Sequence, residues 1–355
     1  MRSNFIALSH LINLNHRSSC QGICVNSVNS YKLRNALSSL YNILPKKFKL
    51  QEQIVNPQID KLAIVVVSSR ECDRSWQGDY KKANLVGEVI KIDRRKDNSI
   101  LVYTSKTISE HYDNNQLYSD PDALVREVDT LYKDRYKHIL YIAKAPYSQT
   151  LNLTDTEQAN NLYFMSSSVI NNLKRERADL KLYPVFFDKY YVVKVQDINR
   201  KSLYIQDAGE LTRIVDDTTK KIAIFFNLFN GIQVGNDHYY NGVISYSTLL
   251  NIYDNPVYND DISAGLINND RDGLKNEILQ LLTLFHFSRY EAAIGNIQLK
   301  LDPYENIIGD QSVGKLALFP HIKPNLEFNS LAFLNEVNDA LDAKLSSDRE
   351  DNSQQ

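Results

Sequence analysis

Short continuous apolar runs alternate along the chain with amphipathic stretches. The run "KLAIVVVSS" at 61–69 is unbroken and β-branched, the pattern of a central strand covered on both faces. "NLVGEVIKID" and "SILVYTS" follow, with "RRKDN" as the turn between them, which predicts a three-strand antiparallel meander. "DPDALVREVDTLYKDRYK" changes to helical spacing. Leu124, Val128, Leu131 and Tyr132 form one face, Asp120 is placed to cap and Pro121 falls in the first turn. "HILYIAKAP" is the next buried strand, so a β-α-β crossover is expected.

The second half repeats the alternation. "EQANNLYFMSSSVINNLKRERA" reads as helix, "YPVFFDKYYVVKV" as a strand or hairpin arm, and "KKIAIFFNLFNG" and "YNGVISYSTLLNIY" as further strands. "DGLKNEILQLLTLFHFSRY" carries the strongest helical stripe, Leu274, Ile278, Leu281, Leu282 and Phe285. "SLAFLNEVNDALDAKL" reads as a last amphipathic helix before a polar, disordered tail. Upstream, Leu33, Leu37, Leu40, Tyr41 and Leu44 stand near helical spacing, with Asn29 or Ser30 as caps and Pro45 as the stop; "KKFKLQEQIVNPQID" then reads as a linker. The domain reading is a helical and linker segment at 1–58, an α/β domain at 59–335, and a helix end with an acidic disordered tail at 336–355. Strands first, then helix–strand alternation, then helices, fits a ribonuclease H-like mixed central sheet flanked by helices.

Composition narrows the function only a little. Hydrophobic content of 43% and charged content of 24% are those of an ordinary soluble domain, and the net charge of −2 gives no overall signature for nucleic acid. The final twenty residues hold six acids against two bases, which leaves the remainder slightly positive. Cys20, Cys24 and Cys72 make no disulfide framework. With His10 and His16 upstream they also lack zinc spacing, so the expectation is reduced thiols and no metal or other cofactor. No signal-peptide pattern opens the chain and no apolar run is long enough to span a bilayer, which predicts a cytoplasmic protein with no membrane contact.

The order of these segments resembles the Piwi domain of Argonaute proteins, over roughly Ser30 to Leu334. "SYKLRNALSSLYNIL" resembles the helix that closes the preceding Mid domain, and "KLAIVVVSSREC" fills the slot of the first aspartate-bearing strand. "HILYIAKAPYSQ" takes the second aspartate's slot. "PVFFDKYYVVKV" is similar to the "VVQKRHH" strand, and "SYSTLLNIYDN" to the "HYHVLWDDN" strand. The resemblance implies two divalent metals held by a carboxylate tetrad, which hard cations need. Carried over by position, the first aspartate falls on Ser68, the second on Lys144 or at best Ala143, the last ligand near Ser247, and the glutamate finger on Glu110. Hydroxyls and an ammonium replace acids, so the resemblance implies a catalytically inactive, Piwi-like protein of prokaryotic type rather than an enzyme. Its setting would be defence against phage or plasmids.

The inherited role is then binding of a guide or target strand, RNA or DNA, together with a protein partner. The family's basic positions fall on Lys189 and Lys194, with Tyr190 and Tyr191 beside them. Lys174, Arg175, Arg177, Arg200, Lys201 and Arg213 lie nearby. The stretch "KRERADLK" reads equally as a solvated helix face, since Glu176 and Asp179 lie in it. Two alternatives stay open. One is a scaffold subunit without nucleic-acid binding. The other is a nuclease with displaced ligands drawn from Glu71, Asp73, Glu88 and Asp93; surface solvation is the simpler expectation for those acids.

Smaller signals are read as structural. Asn268, Asp270 and Asp272 brush against a calcium loop, but Leu279 stands where its final glutamate belongs, so Asp272 is expected as a helix cap. His286 is expected in the core and His238 in a turn. Trp76 is expected in a loop after the first strand, either half-buried or touching a partner.

Overall fold

The computed structural model describes residues 28–34, 37, 44–51, 57–71, 82–113, 119–143, 163–195, 204–207, 222–234, 238–268, 273–289, 291–293, 296–298 and 303. The expected last helix, the acidic tail, Trp76 and the three cysteines lie outside these residues.

Strands β1 (Lys46–Lys49), β2 (Lys61–Glu71), β3 (Lys82–Arg94), β4 (Ser99–Asp113), β5 (His138–Ala143), β6 (Lys181–Val195), β7 (Tyr204–Asp207), β8 (Ile222–Val234) and β9 (His238–Leu249) form one sheet. Its order is β1-β4-β3-β2-β5-β6-β9-β8-β7. β10 (Glu291–Ala293) and β11 (Asn296–Gln298) make a separate small hairpin. Within the large sheet, β4-β3-β2 is antiparallel and β2-β5-β6 is parallel. That order and those directions are the ribonuclease H arrangement, and β9, β8 and β7 extend it by antiparallel pairing.

The expected meander is therefore present. In its turn Asp97 accepts hydrogen bonds from the backbone N–H and the hydroxyl of Ser99, and Asn98 takes the left-handed conformation, which asparagine tolerates. "KKFK" departs from the linker reading. It pairs as edge strand β1 with Ser99–Val102 of β4, because Phe48 lends an apolar side chain to the core. Upstream, Asn29 does cap the turn at residues 30–34, its side chain accepting from the Lys32 N–H.

Besides the helical stretch at 30–34, the described α-helices are α1 (Asp122–Lys133), α2 (Ser167–Lys174), α3 (Pro256–Ile262) and α4 (Leu274–Ser288); a π-helical turn, Ser263–Ile267, follows α3 directly. α1 begins after Pro121 without a side-chain cap; Asp120 instead accepts from the Asn172 amide on α2 and so ties the two helices together. Of the helix expected around 157–178, residues 157–162 lie outside the described residues; the rest is a 3-10 turn at Tyr163–Met165 and then α2, which starts where the Ser166 hydroxyl caps at Val169 N. The position before α4 is Gly273 rather than Asp272, which lies outside the described residues. His238 opens β9 and pairs with Val234 instead of sitting in a turn.

Side chains alternate across the sheet, so register decides what each face receives. Leu62, Ile64 and Val66 of β2, Ile90 and Ile92 of β3, and Tyr246 of β9 point toward α4. Val65, Val67, Val89 and Ile108 point toward α1 and α2. All ten are buried, as the continuous apolar run of β2 requires. The α4 stripe, Leu274, Ile278, Leu281, Leu282 and Phe285, is buried against the first face. Gly87 permits close strand contact, since a Cβ there would lie 2.7 Å from the Val66 carbonyl oxygen.

Candidate functional site

In the ribonuclease H arrangement chemistry gathers at the carboxyl ends of β2 and β5, and β2 delivers Ser68 there. Val67 pairs with Ala143 of the parallel neighbour, and Ser68 pairs with Val86 of β3. Ser68 is half-buried on the α4 face of the sheet. Lys144 lies outside the described residues, and Ala143 is buried and apolar.

Glu110 and Ser247 do not join Ser68. Both sit on the opposite face by alternation: Glu110 shares its level with Leu85 and Ser69, while Ser247 pairs with Phe186 next to Tyr246, which faces α4. β4 and β9 are five strands apart in the sheet order, so roughly 24 Å separates Glu110 from Ser247 at about 4.8 Å per strand. Glu110 is held locally. It accepts hydrogen bonds from the Tyr112 hydroxyl at 2.7 Å and from Arg126 of α1 at 3.2 Å. These described positions do not fit a pair of hard cations, and no group of three His, Cys, Asp or Glu placed to hold a metal occurs among the described residues.

The acid that does share the Ser68 face is Glu88, diagonally across on β3. It is 5% exposed, not solvated as the sequence suggested. Arg289, just past α4, donates to its Oε1 at 3.3 Å and to the Thr104 hydroxyl at 2.6 Å. Burial pushes the Glu88 carboxyl above its ordinary pKa, and Arg289 pulls it back. Arg289 also helps burial lower the neighbouring Lys46 to about 8. Asp93 is likewise buried rather than solvated, and the hydroxyls of Tyr136 and Tyr103 donate to it on the opposite face. Sequence reasoning missed both inward acids because the partners that hold them, Arg289 for Glu88 and Tyr136 for Asp93, lie far along the chain. His286 meets expectation: it is fully buried and hydrogen-bonded to Tyr246 at 2.7 Å.

The basic residues divide. Lys174 is 7% exposed, forms an ion pair with Asp261 at 3.0 Å and lies 4.2 Å over the Tyr258 ring. Arg177 is 8% exposed and bonds the carbonyls of Leu173 and Arg175 and the Asp129 carboxylate. Both charges are matched inside the fold, which corrects their assignment as phosphate contacts. Arg175 is exposed. Lys189, Tyr190, Tyr191 and Lys194 are consecutive or near-consecutive positions of β6 paired with β9. Arg200, Lys201 and Arg213 lie outside the described residues, as does Asp73.

No family model and no curated protein matches the sequence. Solved structures do. The NurA nuclease from Sulfolobus solfataricus is similar at 10% identity and a TM-score of 0.23, over 72% of this chain and 91% of that one. The Marinitoga piezophila Argonaute, solved with guide RNA and target DNA, is similar at 12% identity and a TM-score of 0.31, over 74% of this chain and 30% of that one. The C-terminal lobe of a budding yeast Argonaute is similar at 8% identity and a TM-score of 0.33, over 73% of this chain and 52% of that one. The chain thus spans about a third of that Argonaute chain and about half of the lobe. Matches this low add nothing to the strand order, on which the ribonuclease H-like fold rests.

Proposed function

We propose that this chain is a Piwi-like protein of prokaryotic type that lacks nuclease activity, binds a guide or target strand in the cytoplasm, and works with a partner protein that supplies the effector step. Defence against phage or plasmids is the setting this reading favours. The observation that carries it is the Glu88–Arg289 pair beside Ser68. A carboxylate held by a guanidinium is a poor ligand for a magnesium ion, and a serine hydroxyl supplies no negative charge in its place. The strand would run along the basic and aromatic positions of β6, Lys189, Tyr190, Tyr191 and Lys194, with Arg175, Arg200 and Lys201 as flanking contacts.

The test is fluorescence anisotropy with labelled single strands of RNA and DNA over a salt series. Binding is expected at low salt, falling as salt rises, and weakened by Lys189→Ala with Lys194→Ala. The same oligonucleotides with magnesium or manganese should stay intact; cleavage that Glu110→Ala or Asp73→Ala abolishes would overturn the inactive assignment. A second reading, a scaffold subunit, draws on the internal pairing of Lys174 and Arg177, which removes two cations from the binding face. Absence of binding even at low salt selects it.

A further inference from the structure

We propose that the exposed leucine stripe of residues 33–44 is the docking face for an amphipathic helix formed by residues 331–345 of the same chain. Residues 30–34 and 37 are helical, and Leu33, Leu37 and Leu44 are 46%, 58% and 53% exposed. With Leu40 between them in the sequence, they repeat at intervals of four, three and four, the spacing of a seam that packs along one partner helix. Leu44 ties the stripe to the fold, since it lines a cavity with Ile90, Val102, Phe285 and Arg289. A row of large apolar side chains this open, and continuous with the core at one end, marks an interface.

The sequence chooses the occupant. Leu334, Val337 and Leu341 stand at intervals of three and four, which puts them on one seam of a helix matching the leucine stripe. The charges of the two segments are opposite. Residues 1–51 hold seven Lys or Arg and no Asp or Glu, while residues 331–355 hold six acids against two bases. Repulsion between two basic segments works against a second leucine stripe here, so the face favours an acidic partner over another copy of itself. Glu336, Asp339 and Asp342 fall outside the seam, so docking brings them beside the basic segment without burying a charge. Because both segments belong to one chain, their effective concentration is high, and a seam of about two heptads suffices.

Hydrogen–deuterium exchange of the full chain, read by mass spectrometry, tests the docking. A helix of this length is marginal in isolation, so protected amides at 331–345 require a partner surface. The wild type should show that protection at every concentration. Leu37→Asp sets a charge in the middle of the stripe and should speed exchange at 331–345 about tenfold. Leu334→Asp combined with Leu341→Asp should in turn speed exchange at residues 30–37. Val257→Asp, a comparably exposed apolar position on α3, is the control and should change neither segment. Circular dichroism confirms that each variant folds, and the wild-type measurement stands independent of them. Unprotected amides at 331–345 overturn the proposal. So does protection there that Leu37→Asp leaves untouched, or that Val257→Asp removes equally. Protection that rises with concentration, alongside dimers in sedimentation, also overturns it, because a second copy then supplies the helix.

Discussion

Replacing Arg289 by methionine tests how the sheet tolerates an acid in its core. Arg289 contacts Glu88 at 3.3 Å and Thr104 at 2.6 Å, and both ionic side chains are under a tenth exposed. Methionine keeps much of the volume but leaves Glu88 buried opposite no cation. Breaking a buried pair from one side costs about 3–5 kcal/mol. The carboxyl pKa, already raised by burial, rises further once Arg289 is gone. A carboxyl with a raised folded pKa gives stability that is present at low pH and lost as pH climbs through that value. The loss in Arg289→Met should therefore be largest at neutral and alkaline pH, and should shrink on acidification. Urea denaturation at several pH values measures it. Repeating it in Glu88→Gln should remove most of the cost, since no charge then remains to strand. A loss below about 1 kcal/mol, or one undiminished in the Glu88→Gln background, would refute the claim that this pair governs the core.

Other variants probe separate parts of the fold. Gly265→Ala should destabilise by about 1–3 kcal/mol in thermal melts, since its Cβ would fall 2.2 Å from Tyr183 Cε1. Lys174→Met should lower the melting temperature through loss of the Asp261 pair while leaving oligonucleotide affinity unchanged, as measured by anisotropy. Burial holds the His138 pKa near 4 against an ordinary 6.5. The unfolded chain therefore takes up this proton first, and stability falls as pH drops from about 6.5 toward 4. His138→Gln should flatten that part of the pH–stability curve.

The central strands and α4 were legible because their signals are local. β2 is apolar throughout, and the α4 stripe repeats at helical spacing, so burial on two faces or on one follows directly. β1 was not legible. "KKFK" is mostly lysine, and only pairing with β4, some fifty residues later, makes it a strand. The two faces of the sheet were legible in part. Alternation along β3 puts Glu88 with Ile90 and opposite Asp93, but it cannot supply Arg289 or Tyr136, so both acids were left to solvent. Lys174 and Arg177 failed for the same reason, since their acidic partners Asp261 and Asp129 come from other helices. Glu110 and Ser247 were matched to a family pattern by order alone, and order along a chain says nothing about which side of a sheet a residue takes.

The carboxylate of Glu277, in the first turn of α4, accepts the N–H groups of Gln58 at 2.7 Å and Ile59 at 3.0 Å, the residues that lead into β2. Ile59 and Glu277 are 218 positions apart. During synthesis, then, the root of the innermost strand waits for its fastener until most of the chain has been made. A ribosome-bound fragment ending before residue 277 can build the meander but cannot close that clasp, so exchange of the Gln58 and Ile59 amides marks the last stage of folding.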